Sequence, residues 1–81
     1  MLSEDQRKRV RQVICETLKL EERDLEKADD FGEDLGLTSM DRLQVMAAVE
    51  VEFGVHIDES KLDGLRDLDT VYTALDEVLN P

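Results

Sequence analysis

The sequence predicts an all-α domain of three main helices and one short helix, with a long loop after the first. Apolar residues recur at helical spacing in three separate segments. Helix breakers are scarce, with four Gly and a single terminal Pro among 81 residues, which disfavours a turn-rich all-β fold. Aromatics make up 4% of the chain and Trp is absent, so the core must be aliphatic. A chain of this length forms one domain, residues 1–81. It buries only about 60–65% of its unfolded surface, which leaves no room for a deep enzyme cleft.

The first helix is expected over residues 4–19. Ser3-Glu4-Asp5-Gln6 has the spacing of a capping box, with acids in the first turn where the helix dipole favours them. Val10, Val13, Ile14, Thr17 and Leu18 then form one apolar face. Arg7, Lys8, Arg9 and Arg11 fall outside it and are expected to form a solvated outer face, and Cys15 is expected to be a partly buried structural thiol. Residues 20–38 show no sustained period and read as a long loop, the kind of segment that tends to be functional. Leu25, Phe31, Leu35 and Leu37 are spaced through it as pegs onto the helices, and Leu20–Leu25 has the composition for a short helical turn.

The second helix is expected over residues 39–53, with Ser39 at its start, where the plainest reading of a Ser is an N-cap. Its apolar residues split into two stripes at 100° per residue: Val45, Met46, Val49 and Phe53 on one, Met40, Leu43, Ala47 and Val51 on the other. A helix packed on one side of a small domain needs one stripe. The bulkier set with Phe53 is expected in the core, and the other is expected to face a partner. Gly54 ends the helix, Val55-His56-Ile57 is an extended link, and Asp58 caps a short turn that Gly64 breaks. The last helix, capped by Asp69 or Thr70, runs over 70–79 with Val71, Ala74, Leu75 and Val78 on its apolar face.

Composition narrows function. A net charge of −11 argues against nucleic acid and anionic membrane surfaces, and for basic partners. No apolar run approaches a membrane span or a signal peptide, so a soluble cytoplasmic protein is expected. The single Cys excludes an internal disulfide. His56 is the only His and has no companions for a metal set. Asp29, Asp30, Glu33 and Asp34 lie beside two Gly but miss the spacing of a calcium loop, so no metal is expected. Ser39 lacks a base and an orienting group, and Gly36-Leu37-Thr38-Ser39-Met40 lacks the second Gly of a nucleophile elbow. The chain therefore reads as something other than an enzyme.

The run Phe31-Gly32-Glu33-Asp34-Leu35-Gly36-Leu37-Thr38-Ser39-Met40-Asp41 resembles the signature of acyl carrier proteins: Phe, then Asp-Leu-Gly, then Asp-Ser-Leu-Asp. Residues 48–57 resemble the end of that family's second helix and its extended link, and the order of helices matches. The resemblance implies a four-helix bundle with 4′-phosphopantetheine, derived from coenzyme A, attached to Ser39. The arm holds acyl groups as thioesters. The implied partners are a phosphopantetheinyl transferase and acyltransferase, ketosynthase or acyl/aminoacyl-activating enzymes, which a monomeric shuttle meets in turn. Recognition is expected at Met40, Asp41, Leu43, Ala47, Glu50 and Val51.

The chain departs from the family pattern at several positions. Thr38 stands where Asp is usual and Met40 where Leu is usual, Gln44 and Val51 stand where many members carry acid, and Arg42 adds a positive charge. These departures point toward polyketide or other specialised-metabolite assembly rather than housekeeping fatty-acid synthesis. An aminoacyl or peptidyl carrier is the alternative within the class, although the Gly-Gly-x-Ser form common there is absent. An arm-free acidic helical adaptor, using Ser39 only as a cap, is the alternative outside it.

Overall fold

The computed structural model describes residues 1–81 and is all-helical: α1 (Glu4–Leu18), α2 (Glu22–Lys27), α3 (Phe31–Leu35), α4 (Ser39–Phe53), a 3₁₀ helix (Glu59–Gly64) and α5 (Leu68–Leu79). The expected helical class and the three main helices hold. The loop expected over 20–38 is corrected, because it contains α2 and α3. Neither is long enough to be stable alone, and each is held by one buried peg, Leu25 in α2 and Phe31 in α3.

Helix ends follow local chemistry. Ser3 starts α1 through the expected capping box: its Oγ accepts the Gln6 N–H at 3.1 Å and Gln6 Oε1 accepts the Ser3 N–H at 2.8 Å. Gly54, at φ 64°, closes α4 in the left-handed conformation that glycine adopts without strain. The start of α5 is corrected. Asp67, not Asp69 or Thr70, is the cap; it accepts the Thr70 N–H at 2.8 Å while the Thr70 hydroxyl accepts the Asp67 N–H at 3.0 Å. That reciprocal pair satisfies two donors at once, so the helix begins at Leu68, two residues early.

The core is wholly apolar, and its largest fully buried side chains are Phe31, Ile14, Leu25, Leu75, Val10 and Val49. α1 and α4 make the most extensive helix–helix contact. The α4 stripe of Val45, Met46 and Val49 is buried and Phe53 packs partly buried against it, as expected. On α5, Val71, Ala74 and Leu75 enter the core, while Val78 stays 36% exposed. One backbone bond ties the α2–α3 segment to the chain before α5: the Phe31 N–H donates to the Arg66 carbonyl at 2.7 Å. The Leu37 N–H closes α3 on the Phe31 carbonyl at 3.1 Å.

The basic face of α1 is more engaged than a solvated surface. Arg9 pairs with Glu52 of α4 at 3.3 Å, and Arg11 with Glu22 and Glu26 of α2 at 3.0 and 3.5 Å. Arg11 also donates to the Tyr72 hydroxyl at 3.2 Å, and Arg7 lies 6.0 Å from the centre of the Tyr72 ring. Cys15 is partly buried, as expected; desolvation and then the Glu22 and Glu26 carboxylates push its thiol up.

Two outcomes test this packing. Phe31→Ala should cost about 3–5 kcal/mol in urea denaturation, whereas Met40→Ala, on the open face of α4, should stay within about 0.5 kcal/mol of wild type. The Asp58 carboxyl is held below its ordinary value, first by the Ser60 backbone N–H, at 2.8 Å. A depressed carboxyl stabilises the fold above its unfolded value, near pH 4, and that contribution is lost as pH falls through the folded value. Asp58→Ala should therefore lower the melting temperature at pH 7 and differ less from wild type at pH 2.

Candidate functional site

The site is built where α3 hands over to α4. Asp30 caps α3, accepting the Glu33 N–H at 3.0 Å. Asp34 turns back, and its Oδ2 accepts the Asp29 and Asp30 N–H groups at 2.7 and 3.0 Å. These acids serve the backbone of the segment that presents the site. Gly36, at φ 67°, ends α3 and reverses the chain. Leu35 and Leu37 pack against the core on either side of it, which leaves Thr38 and Ser39 outside.

The expected cap is corrected. Thr38, not Ser39, is the N-cap of α4: Thr38 Oγ1 accepts the Asp41 N–H at 3.2 Å, and Asp41 Oδ2 accepts the Thr38 N–H at 2.9 Å. The signal was available, because Thr38-Ser39-Met40-Asp41 is a Thr-x-x-Asp box. Ser39 is the first helical residue; it is exposed, and its hydroxyl makes no hydrogen bond. The N–H groups of Ser39 and Met40 also lack protein acceptors, as first-turn donors do unless something supplies one. The positive end of α4 thus surrounds a free hydroxyl.

The expected recognition residues divide. Met40 is 62% exposed, Leu43 38% and Val51 84%, with Ala47 exposed between them, so the second stripe lies open along α4. Ala47 and Val51 also line a shallow groove against Val13, Glu16 and Thr17 of α1. Asp41 is spent on the cap. Glu50 is partly buried and turned to the link beyond Gly54, where its Oε2 accepts the Ile57 N–H at 2.7 Å and lies 3.0 Å from His56 Nδ1. That structural duty of Glu50 was not legible, because its partner follows a chain reversal. His56 itself is 85% exposed at the far end of α4 from Ser39. No group of three or more His, Cys, Asp or Glu side chains is arranged to hold a metal ion.

Arg42 of α4 is expected from the sequence to add a positive charge beside the arm. It lies one turn beyond Ser39, with its guanidinium against Gly32: a Cβ built on Gly32 would stand 2.9 Å from Nη2. Its Nε is buried and has no partner.

A phosphodiester on Ser39, as the sequence leads one to expect, fits these observations. The hydroxyl is free, the flanking donors are unsatisfied, and the helix end is positive. The comparisons with known proteins agree with this chemistry. The family described as "Phosphopantetheine attachment site" matches residues 8–75. A relative from Saccharopolyspora erythraea described as "Acyl carrier protein" is 33% identical over 57 residues, a match that covers 70% of this chain and 60% of that relative's length. The family match takes in α2, α3, the Thr38–Ser39 joint, all of α4 and most of α5, and on that ground the chain belongs to the phosphopantetheine carrier family.

Proposed function

We propose that the chain, residues 1–81, is an acyl carrier protein whose arm is attached at Ser39. The observation that carries this reading is the division of labour at the start of α4. Thr38 and Asp41 do the capping, so the Ser39 hydroxyl is exposed and free to be esterified. Bound there, 4′-phosphopantetheine supplies a thiol that holds an acyl group as a thioester. The protein's residues do the rest by presentation. Phe31, Leu35 and Leu37 anchor the segment that leads into the site. The Ser39 and Met40 N–H groups and the α4 dipole offer a phosphate both donors and positive potential. No base is needed on this side, because a separate transferase activates the hydroxyl.

The open stripe of Met40, Leu43, Ala47 and Val51 is the proposed contact for that transferase and for acyltransferase, ketosynthase or acyl-activating partners. It runs from the attachment residue along one face, and its apolar groups are otherwise unexplained on an exposed surface. A shuttle must release each partner, so a small patch and a weak complex suit it. The acidic surroundings would steer basic partner surfaces, mainly through on-rate. Glu50 and Asp41 enter this reading chiefly as residues that hold the surface in shape. The absence of acid at Gln44 and Val51 supports a dedicated pathway, of polyketide or another specialised type, over fatty-acid synthesis. In this role the protein works as a monomer in the cytoplasm.

Incubation with coenzyme A and a broad-range phosphopantetheinyl transferase should add the mass of one arm. Ser39→Ala should abolish that gain, while Thr38→Ala should keep it and cost about 1 kcal/mol of stability. Loading that persists in Ser39→Ala, or failure of the wild type with several transferases, would refute the assignment and favour an arm-free adaptor. Leu43→Asp and Val51→Asp should leave the circular dichroism spectrum and melting temperature near wild type while slowing acyl transfer to the cognate enzyme. Glu50→Gln should instead show itself in stability, through the loosened Ile57 link.

A further inference from the structure

We propose that Arg42 is the residue that binds the phosphodiester of the arm: its guanidinium, seated over Gly32 one turn along α4 from Ser39, takes the phosphate as the counter-charge it lacks. This inference rests on the Ser39 reading and extends it to a residue for which only a stray positive charge was otherwise evident.

The first observation is energetic. Arg42 Nε is buried without a hydrogen-bond partner, and the guanidinium makes no ion pair within 4.0 Å, although the molecule carries a net charge of −11. A buried charged donor left unpaired is costly. Candidate acids are close but engaged. Asp30, whose Oδ1 borders the same face of Gly32, accepts the Glu33 N–H, Asp34 accepts the Asp29 and Asp30 N–H groups, and Asp41 accepts the Thr38 N–H. Six of the ten Lys and Arg residues make no ion pair, but Arg42 alone among them has a buried nitrogen without a partner, amid carboxylates committed elsewhere.

The second observation is steric. Gly32 provides the space in which the guanidinium rests, since a Cβ there would meet Nη2 at 2.9 Å. Gly32 is in α3, away from any left-handed turn, so its backbone angles do not call for glycine. The space itself is what a side chain would remove.

The third is directional. Helical side chains lean toward the N-terminus and lie over the preceding turn. Arg42 therefore leans from α4 toward the turn that holds Ser39, its neighbour at i,i+3, with Cβ atoms roughly 5–6 Å apart. The Ser39 and Met40 N–H groups approach a phosphate along the helix axis, and the guanidinium approaches from the side. Charge-assisted bonds of that kind are the strong ones, and Arg suits phosphate better than Lys because its donors form a planar fork.

The test compares apo and arm-loaded protein for wild type, Arg42→Met, Arg42→Lys and Gly32→Ala, with loading read by intact mass. Gly32→Ala meets two side-chain ends, Arg42 Nη2 at 2.9 Å and Asp30 Oδ1 at 3.3 Å, so it should fold with Arg42 displaced and its charge kept, at a small cost to the α3 cap. In wild type, loading should raise the melting temperature by roughly 4–8 °C and slow solvent exchange of the Arg42 Nε–H in ¹⁵N spectra. The ³¹P resonance of loaded wild type should differ from that of loaded Arg42→Met. Apo Arg42→Met should melt no lower than apo wild type, its gain on loading should vanish, and Gly32→Ala should behave like it. Arg42→Lys should recover part of the gain. If Arg42 is only structural, Arg42→Met will melt lower in the apo form and gain as much on loading as wild type. That result, or an Nε–H unchanged by loading in the wild type, overturns the proposal while the mass gain leaves Ser39 standing. No mass gain in wild type overturns both.

Discussion

The burial of Phe31 is the contact on which the rest of the molecule depends. The connection between α1 and α4 is long, and its two short helices have too few residues to persist alone. Phe31 puts the largest fully buried side chain of the core into the middle of that connection, and its own N–H is bonded to the Arg66 carbonyl ahead of α5. One residue therefore joins the chain before the site to the chain after it. Leu25 performs the same anchoring for α2. Without both, α1 and α4 would still meet along their apolar faces, but nothing would hold Gly36, Thr38 and Ser39 at a defined place on the surface.

Polar chemistry around the site is mostly structural. In a chain this acidic, the carboxylates near Ser39 look at first like a recognition surface. Asp30, Asp34 and Asp41 are instead occupied with backbone N–H groups that a short helical segment leaves unsatisfied. Glu52 is paired with Arg9 and Glu50 with the Ile57 link. Their charge still contributes to the field around α4, yet replacing any of them changes local geometry as well as charge. The exposed apolar stripe carries no such duty, and this is why it is the cleaner candidate for contact with partners.

What could be read from the sequence follows from how local each cause is. The start of α1 was legible from its capping box and the end of α4 from its Gly stop, each beside an apolar period. The two stripes of α4 followed from angle alone. Inside 20–38 the turn expected at Leu20–Leu25 overlaps α2, but α3 was not legible, since five residues give no full period and its stability comes from contacts with the core. The α5 start was ambiguous because Asp67, Asp69 and Thr70 are all cap-type residues, and only the reciprocal bond of Asp67 with Thr70 decides among them. At the site, Ser39 drew attention through its neighbours, and the rival reading of its hydroxyl as a cap fails because Thr38 holds that role. Glu50 and Arg42 found partners or cradles across a chain reversal, at Ile57 and Gly32, and sequence spacing carries no signal for such meetings.

Separating the cap from Ser39, the proposed attachment residue, has a consequence for how states of the molecule can be told apart. The hydrogen bonds that begin α4 belong to Thr38 and Asp41, so none of them is broken when a group is joined to the neighbouring Ser39 hydroxyl. On the proposed attachment, bare, armed and cargo-bearing forms share the cap of α4, and joining the arm leaves that cap intact. An enzyme that must distinguish them gains nothing from probing the body of the domain. Discrimination falls to whatever lies within about one helical turn of position 39, a region small enough for a few substitutions to redirect it.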